Sequence, residues 1–287
     1  MSSLKNHKFK AETKKVLNIL THSLYTNREI FLRELLSNAS DALDKLRFLR
    51  SKGENIREAD LPLEIRLSVD KIAGILQIAD TGLGMSEEEL IDHLGTIARS
   101  GSERFARENP ASEAQDADSN PKAAQLIGRF GVGFYSVFMV AETVEVISKS
   151  ALGEEAPFVW KSDGEGGFSI RPAEEDEAAA CKRGTIIKAK LKKDAAEFLE
   201  KYRLQAVIRK HSNFLPFPIY LEGEQVNTTP AIWREPKFSV SQEQYADFYK
   251  YLTYDETPPL ETIHLSVDAP VQFNALLFIP GSAQDHP

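Results

Sequence analysis

A carboxylate and two glycines stand together directly after a stretch that alternates apolar and polar residues. The stretch ends at Asp80, and Thr81 Gly82 Leu83 Gly84 Met85 follow. A carboxylate at a strand end can accept a hydrogen bond from an exocyclic amine such as that of adenine, and the glycines leave room for a ring. A hairpin turn, or an Asx turn ahead of a helix, is the competing interpretation.

Four polar side chains share one face of a stretch with helical periodicity. Glu34, Asn38, Asp41 and Lys45 fall within an arc of roughly 60° at about 100° per residue, opposite a face of leucines. A solvated helix surface explains this pattern for most amphipathic helices. Asn38 argues for a functional role, because an amide competes for backbone hydrogen bonds and is a poor choice for a helix interior.

Clustered glycines precede a second apolar, helix-like stretch at Gly128 Arg129 Phe130 Gly131 Val132 Gly133 Phe134 Tyr135 Ser136. Exposed backbone amides at such a helix start can cradle phosphate oxygens, although a tight structural turn is an equally good interpretation. The cluster is neither a dinucleotide fingerprint nor a Walker A loop. Farther along, Thr185 places a hydroxyl at the start of a strand, where threonine is also common for its strand preference alone.

The first half of the chain predicts helices and one hairpin around these residues. Residues 12–24 predict a short helix, and Thr26 with Glu29 predicts a capping box ahead of a long helix from about Arg28 to Leu49. A strand hairpin is expected over 63–69 and 74–79. Ser86 and Glu89 form a second capping box, and the aperiodic residues 107–125 predict a mobile loop.

The second half predicts more strands and then a change of domain. Strands are expected at 143–148, 158–161, 185–191 and 219–221, the first preceded by a short apolar helix. Acidic residues 174–177 predict a turn, and 194–211 predict a helix. The stretch 228–230 is typical of a linker. A second domain is expected from about Ile232, with a helix over 242–251 and strands over 262–267 and 272–279 that lack partners to complete a sheet.

Composition excludes several classes of protein. Hydrophobic residues make up 42% and charged residues 27%, as in ordinary globular proteins, and no apolar run reaches the roughly 18 residues of a membrane span. A net charge of -8 disfavours non-specific binding to nucleic acid. The single cysteine, Cys181, supports neither a disulfide nor a zinc site, and without a secretory signal at the amino terminus we expect a cytoplasmic location.

Taken in chain order, four elements resemble the nucleotide-binding motifs of the GHKL superfamily of ATPases. They are Glu34 with Asn38, the turn 80–84, the glycine cluster, and Gly184 with Thr185. Residues 31–45, 94–101 and 131–136 are similar specifically to the ninety-kilodalton heat-shock chaperones of bacterial type. This resemblance extends from about Phe9 through Ile279.

The resemblance implies a role for each motif. Glu34 would be the catalytic residue that orients or activates the attacking water, and Asn38 would help hold the Mg²⁺ that bridges the ATP phosphates. Asp80 would bind the adenine amino group with support from Gly84 and Thr185. The other implied nucleotide-binding residues are Asp41, Ala42, Lys45, Met85, Arg99, Gly131, Val132, Gly133 and Phe134.

The implied fold is α+β, a two-layer sandwich of the GHKL or Bergerat type. A mostly antiparallel sheet of about eight strands would be covered by helices on one face, with ATP between the layers. Residues 1–226 would form this ATP-binding domain, with a lid at about 95–133. Residues 227–287 would form a linker and the partial α/β start of a middle domain.

The resemblance further implies an ATP-dependent chaperone that clamps on unfolded or partly folded client proteins as a homodimer. The strand near residues 9–12 would exchange between protomers, this chain itself would be monomeric, and neither nucleic acid nor membrane would be a partner. Three features depart from the family: an acidic insertion in the lid, Arg99 where lysine is expected, and Arg129 where glutamine is expected. The later catalytic arginine of the family is not reached, so we expect weak turnover.

Two other functions compete with this interpretation. A sensor histidine kinase shares the fold and the spacing of Glu34 and Asn38, but it carries a histidine-bearing helical domain. A nucleotide-sensing module would bind ATP without appreciable turnover. Relatives that act in mismatch repair or as topoisomerases would meet DNA, which the acidic balance disfavours.

Overall fold

The computed structural model describes residues 5–8, 27–95, 133–165, 167–267, 269 and 273–281. They fall into two compact units, and in the described part of the chain the boundary between them is between Thr228 and Thr229. The predicted helix over 12–24, the predicted loop over 107–125 and the exchanging strand near 9–12 lie outside the described residues.

Nine strands of the first unit form one sheet. In chain order they are β1 (Lys5–Lys8), β2 (Ile65–Asp70), β3 (Ile75–Asp80), β4 (Ala141–Lys149), β5 (Phe158–Ser162), β6 (Gly167–Pro172), β7 (Gly184–Leu191), β8 (Ile219–Leu221) and β9 (Glu224–Gln225). Their order across the sheet is β1-β6-β5-β4-β7-β3-β2-β8-β9. Among the described strands only the β2 to β8 pair is parallel, which confirms the mostly antiparallel sheet predicted from the sequence.

Helices cover one face of this sheet. In chain order the helices are α1 (Ile30–Ser51), α2 (Glu87–Gly95), α3 (Glu175–Ala180) and α4 (Lys201–His211), with 3-10 turns at Gly133–Met139 and Lys193–Leu199. Helices α1, α2 and α4 and both turns bury residues in the same core as the sheet, whereas the short α3 buries none. The apolar face of α1 is fully buried against the sheet through Phe31, Leu32, Leu35, Leu36, Leu43 and Leu46. Burial of this apolar surface is what holds the two layers together. None of the described helices is long and apolar enough to cross a membrane.

The start of α1 differs from the prediction. Thr26, the predicted partner of Glu29, lies outside the described residues. Glu29 is the N-cap residue of α1, and its side chain makes no capping hydrogen bond. Its carboxylate is instead bound by Arg203 (2.8 Å), Lys210 (3.1 Å) and His211 (3.2 Å), which lie on α4. These contacts, two of them with the charged side chains of Arg203 and Lys210, join the two helices.

Three other elements also differ from the sequence prediction. Strand β6 was not predicted, because glycine and proline bound a segment with only two large apolar residues. Residues 174–177 begin helix α3 rather than form a simple turn. The helix predicted over 194–211 is interrupted at Glu200, whose backbone is extended. The hairpin of β2 and β3, the box of Ser86 with Glu89 and strands β4, β5, β7 and β8 are confirmed, whereas the short strands β1 and β9 were not predicted.

The second unit contains a helix and a hairpin. Helix α5 (Gln242–Thr253) begins with a capping box in which Ser241 and Gln244 exchange hydrogen bonds of 2.8 and 3.2 Å. Strands β10 (Glu261–Val267) and β11 (Phe273–Ile279) pair antiparallel. Tyr245 of α5 and His264 of β10 lie 2.7 Å apart through Oη and Nδ1, so a buried polar contact joins the helix to the hairpin.

Candidate functional site

Asp80 is the last residue of β3 and is paired in register with Thr185, near the start of β7. It is only 8% exposed, and its Oδ1 accepts a hydrogen bond from the amide of Gly82 at 2.8 Å. Burial raises the pKa of Asp80 to about 7, although the amides of Gly82 and Thr185 and the charge of Arg183 oppose the rise. A buried carboxylate of this kind gains stability from any further donor that reaches it.

Two glycines allow the turn after β3 to lie against its neighbours. Gly84 has φ +64°, and a Cβ there would overlap the carbonyl oxygen of Lys149. Gly184 has φ +96°, and a Cβ there would overlap the carbonyl oxygen of Asp80. Both positions therefore exclude side chains by backbone conformation and by space. The ends of β3, β4 and β7 meet here at backbone distance.

Ser148, near the end of β4, was missed by the sequence analysis. Its hydroxyl is fully buried and accepts a hydrogen bond from the amide of Met85 at 2.9 Å. It lies 3.1 Å from the carbonyl oxygen of Gly184 and 3.0 Å from the hydroxyl of Thr185. Strand β4 also contains Glu142, Thr143 and Glu145, so one more polar residue at position 148 gave no distinctive local signal. Its partners are 63, 36 and 37 residues away in sequence, so local patterns could not identify them.

Arg183 is a second residue that the sequence analysis missed. Its side chain is buried and donates to the carbonyl oxygens of Thr81 (3.0 Å), Arg57 (3.1 Å) and Glu58 (2.5 Å). A guanidinium that donates to several carbonyls fixes the loop before β2 against the turn after β3. Arg183 thus contacts the turn after β3 at Thr81, and Ser148 contacts it at Met85.

Helix α1 contacts this turn directly at Ala42. The amide of Leu83 donates to the carbonyl oxygen of Ala42 at 3.1 Å, and a Cβ on Gly82 would come within 2.8 Å of the same residue. The carbonyl of Leu83 in turn accepts from the amide of Ala151 at 2.7 Å. The turn is thus held between the helix layer and the sheet layer.

Glu34 lies two turns earlier on α1 and is 8% exposed. Its Oε1 accepts from Nη2 of Arg33 at 2.6 Å and from Nε at 3.1 Å. A Cβ on Gly133 would lie 2.7 Å from its Oε2, so the glycine leaves the space that this carboxylate occupies. The structure therefore brings together the first and third sequence motifs.

The other predicted residues of α1 are more accessible. Asn38 and Asp41 are exposed, and Lys45 is half-buried. Burial lowers the pKa of Lys45, while the charges of Asp41 and of Glu89 on α2 oppose that change. A charged cluster therefore lies between the two helices, on the polar face of α1.

The remaining predicted residues divide into described and undescribed positions. Met85 is half-buried against the core. The ring of Phe134 packs on Trp160 at 5.7 Å between centroids, so only its backbone is free to act in a site. Arg99, Gly131 and Val132 lie outside the described residues.

The two carboxylates are positioned for an elongated ligand. Glu34 and Ala42 are eight residues apart, which corresponds to about 12 Å along a helix axis. One end offers the buried acceptor Asp80, and the other offers Glu34 beside the backbone of Gly133. An amine-bearing ring at the first end and an anionic group at the second would match these two surfaces.

Two family models match the chain. The model described as histidine kinase-, DNA gyrase B-, and HSP90-like ATPase matches residues 25–156, which include α1 and the turn after β3. The model described as Hsp90 protein matches residues 221–286. The first match confirms the predicted α+β sandwich of GHKL type.

Curated relatives align over almost the full chain. Proteins named Chaperone protein HtpG are 61% identical in Nitratidesulfovibrio vulgaris, 55% in Oleidesulfovibrio alaskensis and 45% in Desulfitobacterium hafniense. These alignments cover 97–98% of this chain but only 42–44% of each relative. The chain therefore spans less than half the length of the proteins to which it is similar.

Proposed function

This chain belongs to the ninety-kilodalton heat-shock protein family, and from that premise we propose that it binds ATP and slowly hydrolyses it to ADP and phosphate. The observation that carries the proposal is Asp80, a buried carboxylate at the end of β3 whose pKa is raised to about 7. A donor from the ligand would replace the hydration that burial removes. The exocyclic amine of adenine is such a donor.

The base would lie at the junction of β3, β4 and β7. Asp80 accepts from its amino group, Thr185 and Gly84 line the same junction, and Met85 contributes apolar surface beside it. The support for this placement is the contact of Ala42 with the turn, because it makes α1 the opposite wall. A ring between these elements would be shielded from water on both faces.

The phosphates would lie toward Glu34. We propose that amides from Gly131 to Phe134 receive them, together with Lys45 and Arg99. Glu34 then holds the attacking water and takes its proton. When bound, Mg²⁺ would neutralise phosphate charge, and Asn38 offers it an amide oxygen on an exposed face of α1. The fit of Gly133 around the Glu34 carboxylate supports this arrangement.

For the longer protein we propose an ATP-dependent chaperone that acts as a homodimer on unfolded or partly folded clients in the cytoplasm. Residues 1–226 would be its ATP-binding domain, with a lid at about 95–133 that closes over the nucleotide, and 227–287 would begin its middle domain. The division of the chain into two compact units between Thr228 and Thr229 supports that boundary.

A nucleotide-binding module without appreciable turnover is the second candidate. The observation that favours it is the ion pair of Arg33 with Glu34, because the guanidinium occupies Oε1, one of the two carboxylate oxygens that could accept a proton from water. A histidine kinase is not favoured by the relatives, which carry the chaperone name.

Phosphate release in the presence of Mg²⁺ and ATP, measured together with ATP affinity, tests the proposal. We expect the parent chain to bind ATP and release phosphate slowly. Glu34→Gln should retain binding within about threefold and lose turnover by roughly 100-fold or more. Glu64→Gln is a matched control, since Glu64 is equally buried and is paired with Arg66 at 2.6 Å.

Each result separates the candidates. A parent that binds ATP without releasing phosphate would favour the module without turnover. A folded parent that fails to bind ATP would contradict both. Equal turnover in the parent and in Glu34→Gln would remove Glu34 from the catalytic role.

A further inference from the structure

Ser148 lies where three separate segments of the site meet. It is fully buried, and its hydroxyl contacts the amide of Met85, the carbonyl of Gly184 and the hydroxyl of Thr185 at 2.9, 3.1 and 3.0 Å. A serine hydroxyl has one proton and two acceptor sites, so these three contacts use its full capacity.

The proton of this hydroxyl has two possible acceptors, and the choice changes what Thr185 can do. If Ser148 donates to the carbonyl of Gly184, Thr185 donates to Ser148 and presents only lone pairs elsewhere. If Ser148 donates to Thr185, the threonine proton is free for another acceptor. In the first arrangement the lone pairs of Thr185 can accept from the amine of adenine, whereas a base that carries a carbonyl oxygen in place of the amine offers them no donor.

The same contact fixes the backbone beside Asp80. Met85 follows Gly84, which has no room for a side chain against Lys149, and Gly184 is equally close to Asp80. Without the hydroxyl of Ser148, the amide of Met85 would lose its hydrogen-bond acceptor at this contact. A backbone group left without a partner favours a shift of the turn that follows Asp80.

We infer that Ser148 is a positioning residue of the base pocket, which orients Thr185 and the backbone at Met85 and thereby sets the preference for a base with an exocyclic amine. This inference rests on the proposed ATP site and adds a determinant of its specificity. Ser148 acts through Thr185 and Met85 rather than by touching the phosphates.

The test compares two triphosphates in calorimetric titrations with Mg²⁺ at pH 8. Inosine triphosphate replaces the amine of ATP with a carbonyl oxygen. The dissociation constant for inosine triphosphate divided by that for ATP therefore reports recognition of the amine. Ser148→Ala should lower that ratio by about tenfold, the order expected for one hydrogen bond. Ser148→Thr, which keeps the hydroxyl, should recover most of it.

Ser162→Ala is the matched control. Ser162 is a buried serine on β5 whose hydroxyl lies 2.6 Å from the carbonyl of Gly167 and 3.0 Å from the amide of Gly164. Ser162→Ala should lower the free energy of unfolding without changing the ratio of the two dissociation constants. If Ser148→Ala does not fold, Ser148→Cys carries the same test, because a thiol is a weak donor and acceptor of similar size.

The outcomes are distinct. A ratio in Ser148→Ala or Ser148→Cys equal to that of Ser162→Ala would overturn the role of Ser148 while leaving the ATP site intact. Failure of the folded parent to bind either triphosphate would overturn the ATP site and this inference together. A lowered ratio that Ser148→Thr restores would support the inference over a general loss of stability.

Discussion

The two ends of the candidate site are built differently. At the base end, Asp80, Ser148 and Thr185 are buried and joined by hydrogen bonds between three strand ends. At the phosphate end, Glu34 shares its carboxylate with Arg33, and Asn38 is exposed on the helix surface. Under the proposed function, the first end holds Asp80 ready to accept from a base, whereas Glu34 must exchange Arg33 for water before it can take a proton.

This difference separates binding from turnover. A preorganised acceptor contributes to affinity as soon as the ligand arrives. A carboxylate engaged with a guanidinium contributes to hydrolysis only when it can take a proton from water. We therefore expect changes at the base end to alter affinity and changes at the phosphate end to alter rate.

The largest effect is expected from Gly84→Ala. A side chain there would meet the carbonyl of Lys149 and adopt positive φ, so the free energy of unfolding should fall by roughly 2–6 kcal/mol. ATP affinity should fall by about 100-fold or more in the folded fraction, because the turn beside Asp80 would move. Denaturant unfolding and calorimetry measure the two effects.

Gly153→Ala provides the control for backbone conformation. Gly153 has φ +74°, yet a Cβ there meets nothing within 4 Å. Gly153→Ala should lower the free energy of unfolding by only about 1–2 kcal/mol and leave ATP affinity unchanged. Equal affinity losses in the two variants would mean that close packing at Gly84 is not what shapes the base end.

Gly133→Ala should lower the rate of ATP hydrolysis. Its added methyl would meet Oε2 of Glu34, the flexible end of a side chain, so the fold should survive while the carboxylate moves. We expect single-turnover hydrolysis to fall by about tenfold to 100-fold, with a smaller change in affinity. A variant whose affinity falls more than its rate would reverse the assignment of the two ends.

The pH dependence of affinity should follow Asp80. Its pKa of about 7 means that the acceptor is ionised at pH 8 and mostly protonated at pH 6. ATP affinity should therefore fall by about tenfold from pH 8 to pH 6. The same titration of Asp80→Asn corrects for protonation of the phosphates, and parallel curves for the two proteins would argue against Asp80 as the titrating group.

In the protein without ligand, the raised pKa of Asp80 makes the free energy of unfolding fall as pH rises, whereas ATP affinity is expected to increase. Folded Asp80 holds its proton up to about pH 7, whereas the ordinary pKa is 3.8. Its contribution to the free energy of unfolding therefore decreases as pH rises from about 4 to 7 and is constant above. The base end is thus held at a cost to stability that the ligand can offset.

The smallest effect on the site is expected from Glu29→Gln, at the start of the helix that carries Glu34. Burial would raise the pKa of Glu29, but hydrogen bonds from His211, Arg203 and Lys210 lower it to about 2. The variant should lose about 1–3 kcal/mol of stability at pH 7 with unchanged ATP affinity. Because the folded pKa lies below the ordinary 4.5, the difference from the parent should shrink as pH falls from about 4.5 toward 2.

Glu145→Gln is the surface control for that measurement. Glu145 pairs with Lys161 at 2.6 Å, but both side chains are substantially exposed. Its loss should cost at most about 1 kcal/mol. Equal losses in the two variants would show that the contact between α1 and α4 is no stronger than a surface ion pair.

Local sequence identified the elements whose signal is local. The alternation ending at Asp80 predicted β3, and the periodic leucines predicted α1, because each pattern lies within one element. Ser148 and Arg183 were missed because their partners come from other strands and loops. The carboxylate of Glu29 contacts Arg203, Lys210 and His211 on α4, which local sequence could not indicate because these partners lie more than 170 residues away.

Calorimetric titration of the parent chain and of Asp80→Asn with ATP and Mg²⁺ at pH 8 tests the central claim most directly. We expect saturable binding by the parent and a loss of roughly 10- to 100-fold in Asp80→Asn, the order of a hydrogen bond to a charged acceptor. Asp70→Asn, which alters a carboxylate at the tip of the hairpin of β2 and β3, should bind as the parent does. Equal affinity in the parent and in Asp80→Asn would contradict the assignment of Asp80 as the residue that reads the base.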